Sequence, residues 1–414
     1  MRRRRSLLVA VAVAVVLLVL GGVLAAVRGG GAAPVRQEAL SVPVGPEADG
    51  SPVRLDAELY LPEKTPAPAV LLAHGFGGSK ESEATDALDL ARHGYVVLTW
   101  SARGFGRSGG LIHVDSPDYE VADARALVDL LAKRPEVVQD GPGDPRVGAA
   151  GASYGGALSL LLAGTDRRVD AIAPSITWND LAQSLFPQYA LADGTRQTPA
   201  GVQPTSTPGV FKRSWAGIFF GSGSAPALGG PASAARPAAA TPCGRFAPDV
   251  CAAYQASAAS GRPTPQILDL LHRSSPASVV GRISAPTLLV QGEADTLFPL
   301  GQADVTARAL HANGTVVREV WYSGGHDEPS AEGDRVRTLV RDWFDTYLRT
   351  EGRPPARPSF EVTVPSAVLS SQDSNAAPEV RSAPELPGAT GAGPVPTTSL
   401  ALDGPSQTIV SPAG

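Results

Sequence analysis

The stretch PRVGAAGASYGGALSLLLAG, Pro145 to Gly164, decides how this chain is read. Its first half, PRVGAAGAS, is a short apolar run of strand type, and its second, SYGGALSLLLAG, is apolar over a helix length. Ser153 sits at the junction, inside the pattern G-x-S-x-G. Five residues are too few to make a nucleophile. A hydroxyl attacks poorly at neutral pH without a histidine base, an acid to orient that base, and N–H donors for the developing oxyanion. In one fold these partners arrive in the chain order serine, then an acid, then a histidine, each at the C-terminal end of a sheet strand.

Outward from that stretch the chain alternates short apolar runs with helical patterns. APAVLLAH (67–74), YVVLTWS (95–101), PRVGAAGAS (145–153) and VDAIAPSI (169–176) read as buried strands. ATDALDLARHG (84–94), DYEVADARALVDLLAKR (118–134) and SYGGALSLLLAG read as the helices between them. VRLDAELYLP (53–62) alternates and marks an early antiparallel strand. The rhythm breaks over 177–282, which holds many prolines and the low-complexity run GSGSAPALGGPASAARPAAA (221–240), and is expected to be an insertion of short helices and loop. It resumes with APTLLVQGEAD (285–295), ADVTARALHANG, VVREVWYSGGH (316–326) and GDRVRTLVRDWFDTYLR (333–349). Continuous apolar strands separated by helices predict an α/β fold, with a mostly parallel central sheet covered by helices on both faces. The core domain spans 34–350. Residues 351–414 are rich in Pro, Ser and Ala, and read as a linker plus the start of a β-segment left incomplete.

The partners for Ser153 fall where they are needed. Asp295 follows the strand TLLVQGEA, and His326 follows VVREVWYSGG in a Gly-Gly loop. Glu293 and Asp304 are rivals for the acid, but Asp295 sits where the chain leaves its strand. Of the six histidines, His93 and His311 lie on helices, His113 in a polar loop, His272 in the insertion, and His74 in another motif. The oxyanion donors are expected to be backbone N–H groups of Tyr154, next to the nucleophile, and of Phe76, in the loop HGFGGSK. Gly155 and Gly156 would let the helix pack closely, and the helix N-terminus adds positive potential there.

Two glycine-rich loops imitate nucleotide sites. HGFGGSK lacks the spacing of a phosphate loop. RGFGRSGG contains G-x-G-x-x-G (Gly104, Gly106, Gly109), but LIHVDSPD follows instead of a helix, and no strand ending in an acidic residue lies about 20 residues on. No metal-ligand pattern is present, so neither metal nor other cofactor is expected.

The chain has 414 residues, 43% hydrophobic and 18% charged, with net charge −5. This weakly acidic balance gives no broad basic face and argues against a nucleic-acid partner. Four lysines stand against 31 arginines, the residue bias of a GC-rich genome. The N-terminus, residues 1–33, reads as a signal anchor or signal peptide plus linker. Arg2 to Arg5 precede an uncharged run whose core, Leu7 to Val27, would span about 31 Å as a helix. That length favours a retained membrane anchor over cleavage near Ala26 or Ala33, with everything after Arg28 exported. In an exported chain Cys243 and Cys251, the two cysteines present, are expected to pair.

At this point the chain resembles the α/β-hydrolase superfamily. More narrowly, it is similar to the X-prolyl dipeptidyl aminopeptidases and cocaine-esterase-like acyl hydrolases of peptidase family S15. HGFGGSK, TWSARGFGRSGG, GASYGG, SITWNDL, QGEADTLFP and SGGH carry the resemblance, over about residues 50–350. It implies an α/β-hydrolase fold with a helical cap at 177–282, a jelly-roll-like β-domain after the hydrolase domain, and the triad Ser153, Asp295 and His326. Ser101 stands where relatives often carry Asp. Phe76 stands where some place a tyrosine hydroxyl in the oxyanion hole, so that donor must be backbone.

The expected function is an exported serine hydrolase cleaving an ester or amide through an acyl-enzyme, on a small-molecule ester or peptide. Because the base is a neutral imidazole, activity is expected to fall below about pH 6–7. Prolyl-dipeptide release needs an acidic group for the free amine, for which Asp180 and Asp249 are candidates; Trp178, Trp215 and Phe219 are candidates for an apolar acyl pocket or for cap packing. The balance favours an ester or small-amide hydrolase. The alternative is a membrane-tethered binding protein on a hydrolase scaffold, since fold does not fix function. Oligomeric state has no signal in the sequence.

Overall fold

A computed structural model describes residues 33–187, 211–224, 243–327, 332–349, 359–364, 379–384 and 404. Among these residues ten strands form one sheet: β1 (Arg36–Val44), β2 (Val53–Leu61), β3 (Ala69–Ala73), β4 (Val96–Trp100), β7 (Val147–Ala152), β8 (Val169–Ser175), β9 (Thr287–Gly292), β10 (Val317–Tyr322), β11 (Phe360–Val364) and β12 (Glu379–Ala383). Their spatial order is β1-β2-β4-β3-β7-β8-β9-β10-β11-β12. A short hairpin, β5 (Gln139–Gly141) with β6 (Asp144–Pro145), stands outside it. From β4 to β11 every pairing is parallel, whereas β1, β2 and β12 pair antiparallel at the two ends. The parallel strands β3, β4 and β9 are buried at every position, as a sheet covered on both faces requires.

Helices α2 (Glu120–Leu131), α3 (Tyr154–Thr165) and α8 (Leu300–Ala312) fill one face, where Leu127, Leu161 and Leu310 pack on Leu71, Ala149 and Leu289. Helices α1 (Ala84–Arg92) and α9 (Gly333–Phe344) cover the other, where Leu90, Trp343 and Phe344 pack on Val70, Val97 and Val290. All but one residue of α3 is buried, so this helix lies inside the molecule with the nucleophile at its head.

The predicted insertion lies between β8 and β9. Its described parts are α4 (Leu181–Leu185), α5 (Arg213–Ser224), α6 (Pro248–Ser260) and α7 (Pro265–Arg273). The sequence punctuates them. Asp180 accepts the N–H groups of Ala182 and Gln183 at the head of α4 (2.8 and 3.1 Å), and Thr264 accepts that of Ile267 (3.3 Å) at the head of α7, each an N-cap. Pro248 and Pro265 occupy first-turn positions, where no donor is lost. Gly261 closes α6 in the left-handed region, φ 66°. Cys243 and Cys251 are joined in a disulfide, Cα atoms 5.4 Å apart. Phe220 stacks on Tyr254 and Phe246, with ring centroids 3.9 and 4.9 Å apart, and docks α5 against α6.

The C-terminal region contributes two described strands to the central sheet. Its described strands, β11 and β12, extend the central sheet, β11 in register with Glu319–Trp321 of β10. The edge of β10 offers unpaired backbone groups, and FEVTV satisfies them by parallel addition. Apart from Ser359, Pro384 and Gly404, the rest of 351–414 lies outside the described residues, as does the apolar run Leu7–Val27. Among the described residues no helix is long and apolar enough to cross a membrane.

Candidate active site

Ser153 stands between β7 and α3 with φ 56° and ψ −115°, a conformation that L-residues rarely adopt and that costs about 1–3 kcal/mol. The surroundings hold it there. Its N–H donates to Ser175 O (2.9 Å), and its carbonyl accepts from Thr177 Oγ1 (2.8 Å) and from the N–H groups of Gly156 and Ala157. The glycines explain how so tight a turn fits. A Cβ on Gly155 would overlap the Ala73 carbonyl oxygen and lie 2.6 Å from its carbon; one on Gly156 would lie 2.8 Å from Ser175 O. Helix and strand therefore approach more closely than any side chain permits, and Ser153 is thrust above the sheet edge.

The other two residues of the predicted trio reach the same edge. His326 Nε2 lies 2.9 Å from Ser153 Oγ, and His326 Nδ1 lies 2.7 Å from Asp295 Oδ2. The second oxygen of Asp295 accepts the N–H groups of Leu297 (2.9 Å) and Phe298 (2.8 Å), so the buried carboxylate is fixed in the loop after β9. Gly324 and Gly325 admit the loop: a Cβ on Gly325 would lie 2.6 Å from Asp295 Cα. Of the rival acids, Asp304 is engaged by Arg308 on α8 (2.8 and 2.9 Å), and Glu293 is absent from the contacts of His326. An acceptor carboxylate at Nδ1 places that proton on Nδ1 and leaves Nε2 to accept from the serine.

The loop HGFGGSK passes beside the nucleophile: a Cβ on Gly75 would lie 3.9 Å from Ser153 Cβ. Its conformation depends on His74, whose role the sequence reading did not assign. The Ala102 N–H donates to His74 Nε2 (2.9 Å), so the ring proton is on Nδ1, which donates to Gly75 O (2.7 Å). Burial pushes the His74 pKa down to about 4, which keeps it neutral. Phe76 turns its ring into an aromatic group with Phe105, Tyr154 and Phe219, at centroid distances of 5.0, 5.5 and 5.2 Å. The Tyr154 hydroxyl accepts the N–H of Asp115 (3.0 Å). That residue belongs to LIHVDSPD, where Val114 and Asp115 both have positive φ. Glu120, the first residue of α2, accepts the N–H groups of His113 and Ser116 (2.7 and 2.9 Å) and holds the same loop. The glycine-rich decoy folds back on itself, Gly104 N–H donating to Gly109 O (2.9 Å). Its arginine, Arg103, is buried on Asp123 in two hydrogen bonds of 2.7 and 2.6 Å.

The cap meets the triad on one side. Lys212, just before α5, donates from Nζ to Leu297 O (2.8 Å) and to Thr296 O, both in the loop that carries Asp295. Burial lowers the Lys212 pKa, opposed by the charges of Asp295 and Asp327. Trp215 Nε1 donates to Thr296 Oγ1 (3.3 Å), and its ring stands edge-on to His326 at 6.0 Å. Thr296 in turn donates to Asp327 Oδ2 from N–H and Oγ1 (2.9 and 2.7 Å). Neither Lys212 nor Asp327 was singled out from sequence; the signal available was the adjacency of Asp327 to His326. Trp178 is buried and donates from Nε1 to Ser274 O (2.9 Å), and it lines a cavity that also touches Ser153 and Phe219. Among the described residues no group of three or more His, Cys, Asp or Glu is placed to hold a metal ion.

Chain order, strained elbow and sheet edge together define the class of this protein as an α/β-hydrolase, and within it a serine hydrolase. The family model of the X-Pro dipeptidyl-peptidases (S15 family) matches residues 49–326, about two thirds of the chain, and the chain belongs to that family. It is similar to the uncharacterized protein PA2218 of Pseudomonas aeruginosa, at 32% identity over 142 residues, 33% of this chain and 37% of that one. It is also similar to the uncharacterized protein YcjY of Escherichia coli, at 32% identity over 126 residues, 29% of this chain and 40% of that one. The matches thus span about two fifths of these relatives' own length. Among solved structures, the acylaminoacyl peptidase of Pyrococcus horikoshii overlaps with a TM-score of 0.49 at 14% identity, covering 77% of this chain and 43% of that one.

Proposed function

We propose that the protein cleaves a carboxylic ester or small amide through an acyl-enzyme on Ser153. The observation that carries the proposal is the hydrogen-bond chain from Ser153 Oγ through His326 to Asp295. In the first half-reaction Ser153 Oγ bonds to the substrate carbonyl carbon while His326 Nε2 takes its proton. The bond to the leaving group then breaks, and His326 returns the proton to the departing oxygen or nitrogen. In the second, water attacks the acyl-enzyme with His326 as base, releasing the acid and restoring the Ser153 hydroxyl. Asp295 keeps the imidazole in the required tautomer and stabilises its charge. The N–H groups of Tyr154 and Phe76 are the proposed oxyanion donors, with the N-terminus of α3 adding positive potential.

The proposal includes the setting. The arginines ahead of Leu7–Val27 put the hydrolase domain outside the membrane, tethered by that run, or secreted if it is cleaved. The Cys243–Cys251 bond is consistent with an oxidising compartment. Esters are favoured over prolyl dipeptides, because Asp180 spends a carboxylate oxygen on the head of α4 and Asp249 sits at the first turn of α6, so neither lines the cavity at Ser153. The test is turnover of p-nitrophenyl acetate and Ala-Pro-p-nitroanilide by wild type and Ser153→Ala. The ester should be cleaved, and the variant should lose at least about a thousandfold in kcat; equal turnover by the two proteins would remove Ser153 from the mechanism.

A further inference from the structure

From the cavity that opens on Ser153 we infer that the acyl half of the substrate is an apolar group of about six carbons, carrying no charge at its far end. The inference rests on the acyl-enzyme reading above and specifies what that enzyme accepts.

The cavity has a volume of about 130 Å³, close to the ~150 Å³ apolar cavity that takes up a benzene-sized molecule. Ser153 and Tyr154 line it together with Phe76 from the loop HGFGGSK, so it reaches the nucleophile. Most of its other described lining residues belong to the cap. Leu185 of α4, Ala216 and Phe220 of α5, Tyr254 of α6, and Ile267 and Leu271 of α7 are among the residues facing it. Among the described residues that line it none is charged.

Among the described lining residues, polar atoms come from Trp178, Tyr154, Ser153, Tyr254 and Ser257, and the first two are engaged. Trp178 Nε1 donates to Ser274 O, and the Tyr154 hydroxyl is held by the Asp115 N–H. What remains is a surface of aromatic rings and branched aliphatic chains, the environment that takes methylene groups from water. An ammonium placed there would meet no carboxylate among the lining residues, and an unpaired buried charge is costly by several kcal/mol. The same cavity therefore selects an apolar acyl chain and rejects the free α-amine of a dipeptide.

The test is a series of p-nitrophenyl esters from acetyl to dodecanoyl, plus the 6-aminohexanoyl ester, with the full chain. Active sites are counted in parallel with a fluorophosphonate. The expected kcat/KM rises about threefold to fourfold for each methylene from acetyl to hexanoyl and stops rising beyond. Hexanoyl should exceed 6-aminohexanoyl by about a hundredfold or more. Ala216→Trp, which fills the cavity, should lower the hexanoyl-to-acetyl ratio about tenfold or more, and Leu185→Trp gives the same readout from another wall. A fully titrated enzyme with a flat or falling profile, or with equal use of the aminohexanoyl ester, overturns this inference and leaves the acyl-enzyme intact. Failure of titration overturns the acyl-enzyme reading and this inference with it.

Discussion

Replacing His74 by Gln should change how stability depends on pH, and the size of that change follows from the structure. His74 is fully buried, accepts the Ala102 N–H at Nε2, and donates from Nδ1 to Gly75 O. A second proton would have to sit on Nε2, directly against the Ala102 N–H, in a site that burial already makes hostile to charge. Its pKa is accordingly pushed from 6.5 down to about 4. Between these two values the unfolded chain takes up a proton that the folded chain refuses. The His74 contribution is therefore fully present above pH 6.5, and is lost as pH falls towards 4. At about 1.4 kcal/mol per pH unit, the displacement amounts to about 3 kcal/mol. Several buried carboxyls act in the opposite sense. Burial raises Glu120 to about 7 and Glu319 to about 8, so their contributions grow as pH falls. Those groups remain in both proteins, and the difference between wild type and His74→Gln isolates the imidazole. Urea unfolding at intervals from pH 7.5 to 4 measures it. The wild type should lose about 3 kcal/mol more than the variant across that range. Parallel curves would refute the placement of a neutral, buried His74.

Two further predictions follow from the packing and the cap contact. Gly155→Ala should destabilise the fold by about 3 kcal/mol or more in thermal or urea unfolding, because the new methyl overlaps the Ala73 carbonyl and neither helix nor strand has room to retreat; a change under about 0.5 kcal/mol would contradict the close approach of α3 to β3. Lys212→Met removes the donor that joins the cap to Thr296 and Leu297 beside Asp295. It should lower kcat about tenfold with a smaller change in KM, and a change in KM alone would make Lys212 a binding residue.

The alternation of buried strands with helices was legible because local pattern decides it. AVLLA, VVLTW and TLLVQG are buried throughout, and a run of that kind between helical segments has few other uses. The trio of Ser153, Asp295 and His326 was legible for a related reason: each residue ends a strand, and parallel strands deliver their ends to one edge. β1 was harder. RQEALSVPV faces solvent at most positions, so it lacks an apolar signature and is recruited by pairing with β2. That β11 would join the central sheet was not legible, because nothing local in FEVTV says that β10 has a free edge. His74 as a tie between loops, and Lys212 as a clamp on the acid loop, depend on contacts 28 and 84 or more residues away in sequence, where spacing carries no information. The insertion announced itself by breaking the rhythm, but its aromatic residues divide between cap packing and cavity wall only in three dimensions. Phe186 and Phe211 stack on each other at 4.9 Å and still line the cavity.

The central claim is that Ser153 is an activated nucleophile, and covalent labelling tests it most directly. The purified protein is treated with a fluorophosphonate at neutral pH, the intact mass is recorded, and the adduct is located by peptide mapping. One adduct per chain on Ser153 is predicted, with labelling slowed about a thousandfold or more in His326→Ala, where the base is gone. A wild-type protein that stays unlabelled, or that carries its adduct elsewhere, would contradict the account.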